Sequence, residues 1–157
     1  MRVLVLPTVW TVLFDIFVWL CLHVAVSLWA TRRPAAKFSV ENPLYRPKKW
    51  ERESPIYRLL GVHGWKSRLP DAAPWFSGVP KSHIPGRGRA ALSLFLIETC
   101  RGELAHWLVF LCGPLFFLWN KPWVGAIMLA YGFFANIPCI IAQRYNRARL
   151  WRILDKG

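Results

Sequence analysis

Acidic residues are few in this sequence, and basic residues outnumber them strongly. There are 8 Asp and Glu against 21 Lys and Arg, so the formal net charge is +13 over 157 residues. An excess of this size favours an anionic partner, which is either nucleic acid or an acidic membrane surface. Since 55% of the residues are hydrophobic, the chain is too apolar for an ordinary soluble domain. We therefore expect membrane lipids as partners and no nucleic acid.

Closely spaced metal ligands and cofactor loops are also missing from the sequence. The cysteines lie singly in or beside apolar segments, without the paired spacing of a zinc site or a redox dithiol. They are Cys21, Cys100, Cys112 and Cys139. We interpret them as small apolar side chains and predict no metal site. Beyond Gly86-Arg87-Gly88 there is no glycine-rich nucleotide loop, so a cofactor-dependent methyltransferase or reductase has little support.

The first long apolar run covers residues 3–29. Within it, Asp15 and His23 are the acidic and basic exceptions. About 27 residues are enough to cross a hydrocarbon core of about 30 Å as a helix. A cleaved signal peptide is the alternative, but no small-x-small cleavage site precedes the basic pair Arg32-Arg33. We predict a retained transmembrane helix.

Basic residues concentrate in two segments that flank the remaining apolar sequence. Residues 31–89 hold 13 Lys and Arg against 4 Asp and Glu, and the tail over residues 143–157 holds 5 against 1. Because basic loops face the cytoplasm in membrane proteins, an even number of crossings should separate the two segments. The apolar residues 90–119 and 122–142 supply two crossings, with a turn at Asn120-Lys121-Pro122.

These segments predict an all-α integral membrane protein with a single membrane domain over residues 1–157. We expect three transmembrane helices, with residues 31–89 forming short interfacial helices that prolines interrupt. A four-helix alternative stays open. It rests on residues 90–119, which are longer than one crossing needs and are interrupted by Gly113-Pro114.

Four ionisable side chains lie in the first half of the 90–119 segment. They are Glu98, Arg101, Glu103 and His106. Such groups are unfavourable at membrane depth unless they are paired or hydrated, which makes them candidates for a functional site. Their helical spacing predicts i,i+3 pairs, Glu98 with Arg101 and Glu103 with His106. A carboxylate beside an imidazole suits general-base catalysis, whereas the alternative is that both pairs only neutralise charge and hold helices together.

A second group of polar residues follows the last apolar segment. Asn136 and Pro138 precede the run Gln143-Arg144-Tyr145-Asn146-Arg147-Ala148-Arg149. Three arginines at the exit of a helix favour binding of diphosphate, of a coenzyme A adenosine phosphate or of lipid headgroups. Ordinary anchoring by basic residues is the alternative. In the first apolar run, Asp15, Trp19 and His23 form a stripe that we predict faces the other helices.

Three stretches of the sequence share their residue order with a known family. They are Trp65-Lys66 with Leu69-Pro70-Asp71, the run from Ile97 to Trp107, and Ala135-Asn136-Ile137-Pro138 leading into residues 143–150. Together they resemble the glycosyl-4,4'-diaponeurosporenoate acyltransferase family of staphyloxanthin-type carotenoid synthesis. The resemblance implies transfer of a fatty acyl group from a thioester donor to a sugar hydroxyl of a glycosylated C30 carotenoid acid.

The resemblance also implies a set of partners and a place in the cell. Acyl-CoA or an acyl-carrier protein would be the co-substrate, with no further cofactor. The acceptor would be a carotenoid or another glycosylated lipid. The protein would lie in the bacterial cell (inner) membrane as a multi-pass protein with its active face in the cytoplasm. A non-catalytic membrane scaffold, which binds anionic lipids or partner enzymes, remains the alternative.

From these residues we build one catalytic hypothesis. His106, oriented by Glu103, would take a proton from the acceptor hydroxyl, which then attacks the thioester. Glu98 and Arg101 would hold the shape of the site, and Asn136 or Gln143 would donate to the oxyanion. Lys66 would bind donor phosphates together with Arg144, Arg147 and Arg149. The predicted catalytic residues are thus His106, Glu103 and Glu98, and the predicted substrate-binding residues are Arg101, Lys66, Trp65, Asn136, Gln143, Arg144, Asn146, Arg147 and Arg149.

Overall fold

The computed structural model describes residues 3–53, 55–69 and 88–154. Within these ranges the regular secondary structure is helical and contains no strand, which confirms the all-α expectation. The α-helices are α1 Thr8–Thr31, α2 Lys49–Glu53, α3 Ile56–Leu59, α4 Val62–Trp65, α5 Arg89–Leu111 and α6 Pro122–Leu154. Three 3-10 segments accompany them, at Ala35–Phe38, Lys66–Arg68 and Gly113–Leu118.

Helix α1 is apolar around its whole circumference, and most of that surface is exposed. Of its 24 residues, the buried ones are Asp15, Trp19 and Ala30. Large apolar side chains such as Val9 and Phe17 are exposed by 70% and 61%. A helix that is hydrophobic on all sides is suited to a surrounding apolar medium. The inward position of Asp15 and Trp19 confirms that this part of the predicted stripe faces the other helices.

Helix α5 ends where the sequence predicts an interruption. Its last residue is Leu111, and the 3-10 segment Gly113–Leu118 follows directly. Pro114 lacks an N–H and its ring would clash with the preceding turn of an α-helix, so the chain continues in the tighter 3-10 form. A short turn then leads to α6, which begins at Pro122 as the sequence predicts.

Helix α6 is longer than the expected third apolar segment. It runs for 33 residues without a break and includes Pro138 in its interior. The tail that we expected to follow the segment over residues 122–142 therefore continues the same helix as far as Leu154. The side chains of residues 143–149 therefore have fixed positions relative to Asn136, because all of them belong to one helix.

The described chain has two ends that differ in character. At one end, the N–H of Val3 donates to the carbonyl of Leu118 over 2.6 Å, and the Asp15 carboxylate accepts from Asn120. At the other end, Nη2 of Arg101 donates to the Arg33 carbonyl. There the short helices α2 to α4 also meet the last turns of α6. We call this second end the basic end, because Arg144 of α6 and Lys66 after α4 form their contacts there.

The number of helices that suit a membrane is smaller than expected. Two of the described helices, α1 and α6, are long and apolar enough to cross a bilayer by length and composition, whereas we expected three or four. Helix α5 runs between the same two ends of the molecule, but it carries Glu98, Arg101 and Glu103. These side chains lower its apolar character below that of a typical transmembrane helix. The predicted span over residues 90–119 is therefore corrected.

Helices α5 and α6 pack against each other along most of their length. Near the basic end, Phe95 and Leu96 of α5 contact Leu150 of α6. Towards the other end, Val109 of α5 packs with Trp19 of α1 and Phe116 of the 3-10 segment. Gly132 of α6 lets α1 come close, because an added Cβ would lie 2.9 Å from the Trp19 ring. This tight helix packing fixes the polar residues between α5 and α6.

Candidate active site

A buried carboxylate lies at the centre of the α5–α6 interface. Glu103 is 2% exposed. Its Oε1 accepts from Nη1 of Arg144 over 2.7 Å, and its Oε2 accepts from Nη2 of Arg147. Nε1 of Trp107 also approaches Oε1, at 3.4 Å. Two guanidinium groups therefore neutralise Glu103 and cross-link α5 to α6 by charge-assisted hydrogen bonds.

A second buried carboxylate completes this network and was missed by sequence reasoning. Glu51 of α2 is 1% exposed and binds Arg144 in bidentate geometry, with N···O distances of 2.7 and 2.8 Å. The Tyr57 hydroxyl and the N–H of Lys48 donate to the same carboxylate over 2.7 Å each. Glu51 is one of only four acidic residues in the basic segment 31–89. The rarity of acidic residues in this segment is the signal that could have identified Glu51.

The surroundings of Glu51 shift two pKa values. Burial alone would raise the pKa of Glu51, but hydrogen bonds from Arg144, the Lys48 N–H and Tyr57 hold it below its ordinary range. Burial, together with the hydrogen bond to Glu51 and its negative charge, raises the pKa of the Tyr57 hydroxyl. The carboxylate is thus ionised and the phenol neutral at physiological pH. Arg144 is held from both sides, by Glu51 and by Glu103.

These contacts correct three of the predicted roles. We expected Glu103 to orient His106, but its carboxylate oxygens accept from Arg144 and Arg147 instead. We expected Arg147 to bind donor phosphates, but its side chain is 1% exposed and is bound to Glu103. Arg144 lies at the edge of the same network, with its guanidinium on two carboxylates. The physical reason is that buried arginines need internal counter-ions, and two of the few carboxylates supply them.

His106 has a different partner across the helix interface. Its Nδ1 lies 3.0 Å from Oδ1 of Asn136, which is fully buried on α6. Nδ2 of Asn136 donates to the Gly132 carbonyl over 2.8 Å. Since a carbonyl oxygen can only accept, this bond fixes the orientation of the amide and leaves Oδ1 to face the imidazole. Nδ1 of His106 is then the nitrogen that donates this hydrogen bond.

The two candidates for an oxyanion donor differ in their surroundings. One N–H of the Asn136 amide donates to the Gly132 carbonyl, so only its second N–H could serve an oxyanion, and that role stays a prediction. Gln143 is 4% exposed and packs closely against α5. A Cβ added at Gly102 would lie 2.7 Å from its Nε2. The role of Gln143 stays a prediction, and Gly102 provides the space for its side chain.

The predicted pair of Glu98 and Arg101 is confirmed. Nη1 of Arg101 donates to Oε1 of Glu98 within the first half of α5. Nη2 of the same guanidinium donates to the Arg33 carbonyl over 3.3 Å, and its Cζ lies 5.1 Å from the centre of the Phe38 ring. The pair therefore connects α5 to the chain that follows α1 and supports the shape of the basic end.

Four further predicted residues lie at the basic end. Nζ of Lys66 donates to Oδ1 of Asn146 over 2.6 Å. Trp65 packs against the cluster around Tyr57, and its Nε1 donates to the Leu60 carbonyl. Arg149 is exposed on the last turns of α6. The structure thus brings Lys66 to Asn146, and the positive charge of Arg149 contributes to the lowered pKa of Lys66. Pro70 and Asp71 of the first motif lie outside the described residues.

The remaining polar groups lie away from His106. Asp15 accepts from Nε1 of Trp119 and Nδ2 of Asn120, each over 2.8 Å. Among the described cysteines, Cys100 and Cys139 are buried and Cys21 is exposed, and none forms a disulfide. The residues that the structure describes contain no cluster of His, Cys, Asp and Glu able to hold a metal ion. An open crevice of about 500 Å³ lies at the end of α1, and its lining includes Trp29.

Comparison with known proteins identifies the family. A sequence model of the glycosyl-4,4'-diaponeurosporenoate acyltransferase family matches residues 41–156, more than half of the 157-residue chain. The chain belongs to this family. The match contains the acidic and basic network around Glu103, the His106–Asn136 contact, and the Lys66–Asn146 contact. All three arrangements therefore lie within the matched residues 41–156.

Individual members of the glycosyl-4,4'-diaponeurosporenoate acyltransferase family are similar over almost the whole chain. Proteins of that name from Staphylococcus aureus strains bovine RF122 / ET3-1 and USA300 are 28% identical over 147 residues, which is 92% of this chain and 88% of theirs. The protein of strain N315 is 27% identical over 146 residues. No solved structure matches the chain. The family membership favours an acyltransferase over the scaffold alternative.

Proposed function

We propose that the protein is a membrane-bound O-acyltransferase. It moves a fatty acyl group from a thioester donor to a hydroxyl of a glycosylated terpenoid or related lipid, as in the last step of staphyloxanthin-type carotenoid synthesis. The family membership supports the transfer of an acyl group and, by the names of its Staphylococcus aureus members, a glycosylated carotenoid acceptor. The single observation that carries the chemistry is the contact between His106 and Asn136.

A membrane location supports this proposal, because the acceptor is a lipid. Helix α1 and the apolar first part of α6 expose large side chains such as Trp10, Phe17, Trp123 and Phe134, each by 60% or more. Contiguous exposed apolar surface of this kind fits the hydrocarbon core. The basic end would then lie at the cytoplasmic surface, where Lys and Arg side chains face anionic headgroups. The cytoplasm of the bacterial cell also supplies acyl thioesters.

The His106–Asn136 contact prepares an imidazole to act as a base. Because the Asn136 amide accepts from Nδ1, Nε2 is the nitrogen that can take a proton from the acceptor hydroxyl. The hydroxyl oxygen attacks the thioester carbonyl and gives a tetrahedral oxyanion. Collapse of this intermediate breaks the C–S bond, and the leaving thiolate takes the proton from Nε2. The products are one ester and one thiol, and the imidazole returns to its starting form.

The network of Glu51, Arg144, Glu103 and Arg147 supports the site without taking part in proton transfer. Each buried charge in it has an opposite charge within hydrogen-bond distance, so its members are occupied by one another. The network holds the short helices at the basic end against α6 and keeps α5 at a fixed position beside it. Positioning of this kind is what a base such as His106 needs, since small displacements of reacting groups reduce the rate strongly.

Lipid mass spectrometry on whole cells tests the proposal. The gene is deleted and then restored as wild type, as His106→Ala, or as His63→Ala, whose exposed imidazole lies outside the site. We expect the deletion strain to accumulate a glycolipid that lacks one fatty acyl residue. Wild type and His63→Ala should restore the ester, and His106→Ala should not. Matching lipid profiles in all four strains, with the pathway active, would contradict the proposal and favour a membrane scaffold.

A further inference from the structure

A second polar site lies on the surface of the basic end, apart from His106. Lys66 follows α4 and is partly buried, and its Nζ lies 2.6 Å from Oδ1 of Asn146 and 5.3 Å from the centre of the Tyr145 ring. An ammonium group in this position has three N–H donors. The amide oxygen and the aromatic face are neutral partners, so they orient the cation without cancelling its charge.

The amide of Asn146 contributes a buried donor to the same place. Asn146 is 4% exposed, and its Nδ2 has no hydrogen-bond partner among the described residues. Buried side-chain donors normally have an acceptor. Oδ1 of the same amide accepts a hydrogen bond from Lys66. The Nδ2 donor therefore lies close to the ammonium group. Because this atom has almost no exposed surface, an anion bound to Lys66 would reach it only if the side chains that cover the amide move.

A second cation lies on the next turn of α6. Arg149 lies three residues after Asn146 on α6 and is exposed. Burial lowers the pKa of Lys66, and the nearby positive charge of Arg149 lowers it further. The two cations therefore repel each other in the described structure. Two like charges close to each other are stabilised when an anion binds between them.

Three described carboxylates are engaged by arginines. Glu51 and Glu103 bind Arg144 and Arg147, and Glu98 binds Arg101. In the part of the chain that the structure describes, no carboxylate forms a salt bridge with Lys66 or Arg149. These basic residues therefore form two groups. Arg144 and Arg147 are structural, and the pair of Lys66 and Arg149 is available to a ligand.

We infer that Lys66, Asn146 and Arg149 form a phosphate-binding site for the acyl donor. The donor class is a thioester whose long flexible arm carries phosphate groups at its far end, as in coenzyme A. Asn146 follows Asn136 by ten residues on the same helix, which places it about 15 Å further along the axis. A phosphate bound there would leave the arm to extend along α6 towards His106. The inference rests on the proposed acyl transfer, and it assigns the donor to this surface.

Binding of coenzyme A to the purified full chain in detergent tests the inference. Isothermal calorimetry would compare coenzyme A with pantetheine, which lacks the phosphate groups. The variants are Lys66→Gln and Arg149→Gln, and the matched control is Arg152→Gln, an exposed arginine one turn further along α6. We expect each site variant to weaken coenzyme A binding about tenfold, as loss of one charge-assisted contact does. Pantetheine should bind weakly to every form, and Arg152→Gln should behave as wild type.

Two further measurements separate this inference from the proposed function. His106→Ala should lose acyl transfer and keep its affinity for coenzyme A, because His106 is far from the phosphate site. Unchanged coenzyme A affinity in both Lys66→Gln and Arg149→Gln would overturn the inference, even if the wild type transfers acyl groups. Sedimentation with phosphatidylglycerol vesicles gives the other contrast. If the variants lose vesicle binding and keep coenzyme A binding, the site recognises lipid phosphate and the donor assignment is wrong.

Discussion

His106 and Asn136 meet across the interface of α5 and α6, with 3.0 Å between Nδ1 and Oδ1. Thirty residues separate them in the sequence, and neither helix could position the imidazole alone. The amide is itself fixed by the Gly132 carbonyl one turn earlier on α6. The orientation of the His106 ring is therefore determined by the backbone of the facing helix. This relationship gives the first of four predictions.

Asn136→Ala removes the acceptor that fixes the His106 tautomer. We expect kcat to fall roughly a hundredfold or more, because a general base contributes about 10²–10⁴-fold and is effective only in the correct tautomer. The KM for the donor should change little, since the phosphate site lies elsewhere. Asn136→Asp restores an acceptor oxygen for Nδ1 and should retain more activity than Asn136→Ala. Equal rates for wild type and Asn136→Ala in a reconstituted transfer assay would contradict the assignment.

Glu103→Gln should destabilise the fold through the charge that it leaves behind. The change removes the counter-ion of Arg147, whose side chain is 1% exposed. Breaking a buried ion pair from one side costs about 3–5 kcal/mol of unfolding free energy. The measurement is the midpoint of thermal unfolding in detergent. The double variant Glu103→Leu with Arg147→Met removes both charges and should be more stable than Glu103→Gln. If Glu103→Gln is as stable as wild type, then loss of this carboxylate does not leave Arg147 as a buried charge without a counter-ion, and the prediction is wrong.

The contrast between Glu98 and Glu103 explains how far the sequence could predict this site. Spacing along one helix identifies neighbours three or four residues apart, and the pair of Glu98 with Arg101 is confirmed. Glu103 has an equally suitable neighbour in His106. However, its partners come from α6, 41 and 44 residues away. Competition between a local partner and a distant guanidinium is decided by burial and packing, which the spacing does not contain.

The same limit applies to the short helices and to the helix count. Glu51 binds an arginine 93 residues later in the sequence, so only its rarity in a basic segment marks it. By contrast, the turn before Pro122, the interruption at Gly113-Pro114 and the inward face of Asp15 follow from local rules and are confirmed. The predicted count of three spans was wrong because residues 90–119 are long enough to cross a membrane, whereas the ionisable side chains of α5 make this helix too polar to be a typical span.

Glu51 should make stability depend on pH at the acidic side. The pKa of its carboxyl is lowered in the folded protein, so the folded state favours the ionised form. This contribution is fully present above the unfolded value of about 4.3 and is lost as the pH falls through the lower folded pKa. We expect Glu51→Gln to unfold at a lower temperature than wild type at pH 7, with the difference shrinking below about pH 4. Glu41→Gln, at an exposed carboxylate, is the matched control and should show no such convergence.

Gly102→Ala should disturb Gln143 without unfolding the protein. The added methyl group would lie 2.7 Å from Nε2 of Gln143, so the end of that flexible side chain must move. Alanine also favours a helix over glycine by about 1 kcal/mol, which offsets the strain. If Gln143 donates to the oxyanion, a displacement of this size should lower kcat about a hundredfold. Gln143→Ala should then lower kcat to a similar extent, while both variants keep the thermal midpoint of wild type to within a few degrees. Full activity in Gly102→Ala would show that the position of Gln143 does not affect the reaction, and the oxyanion donor would have to be sought elsewhere.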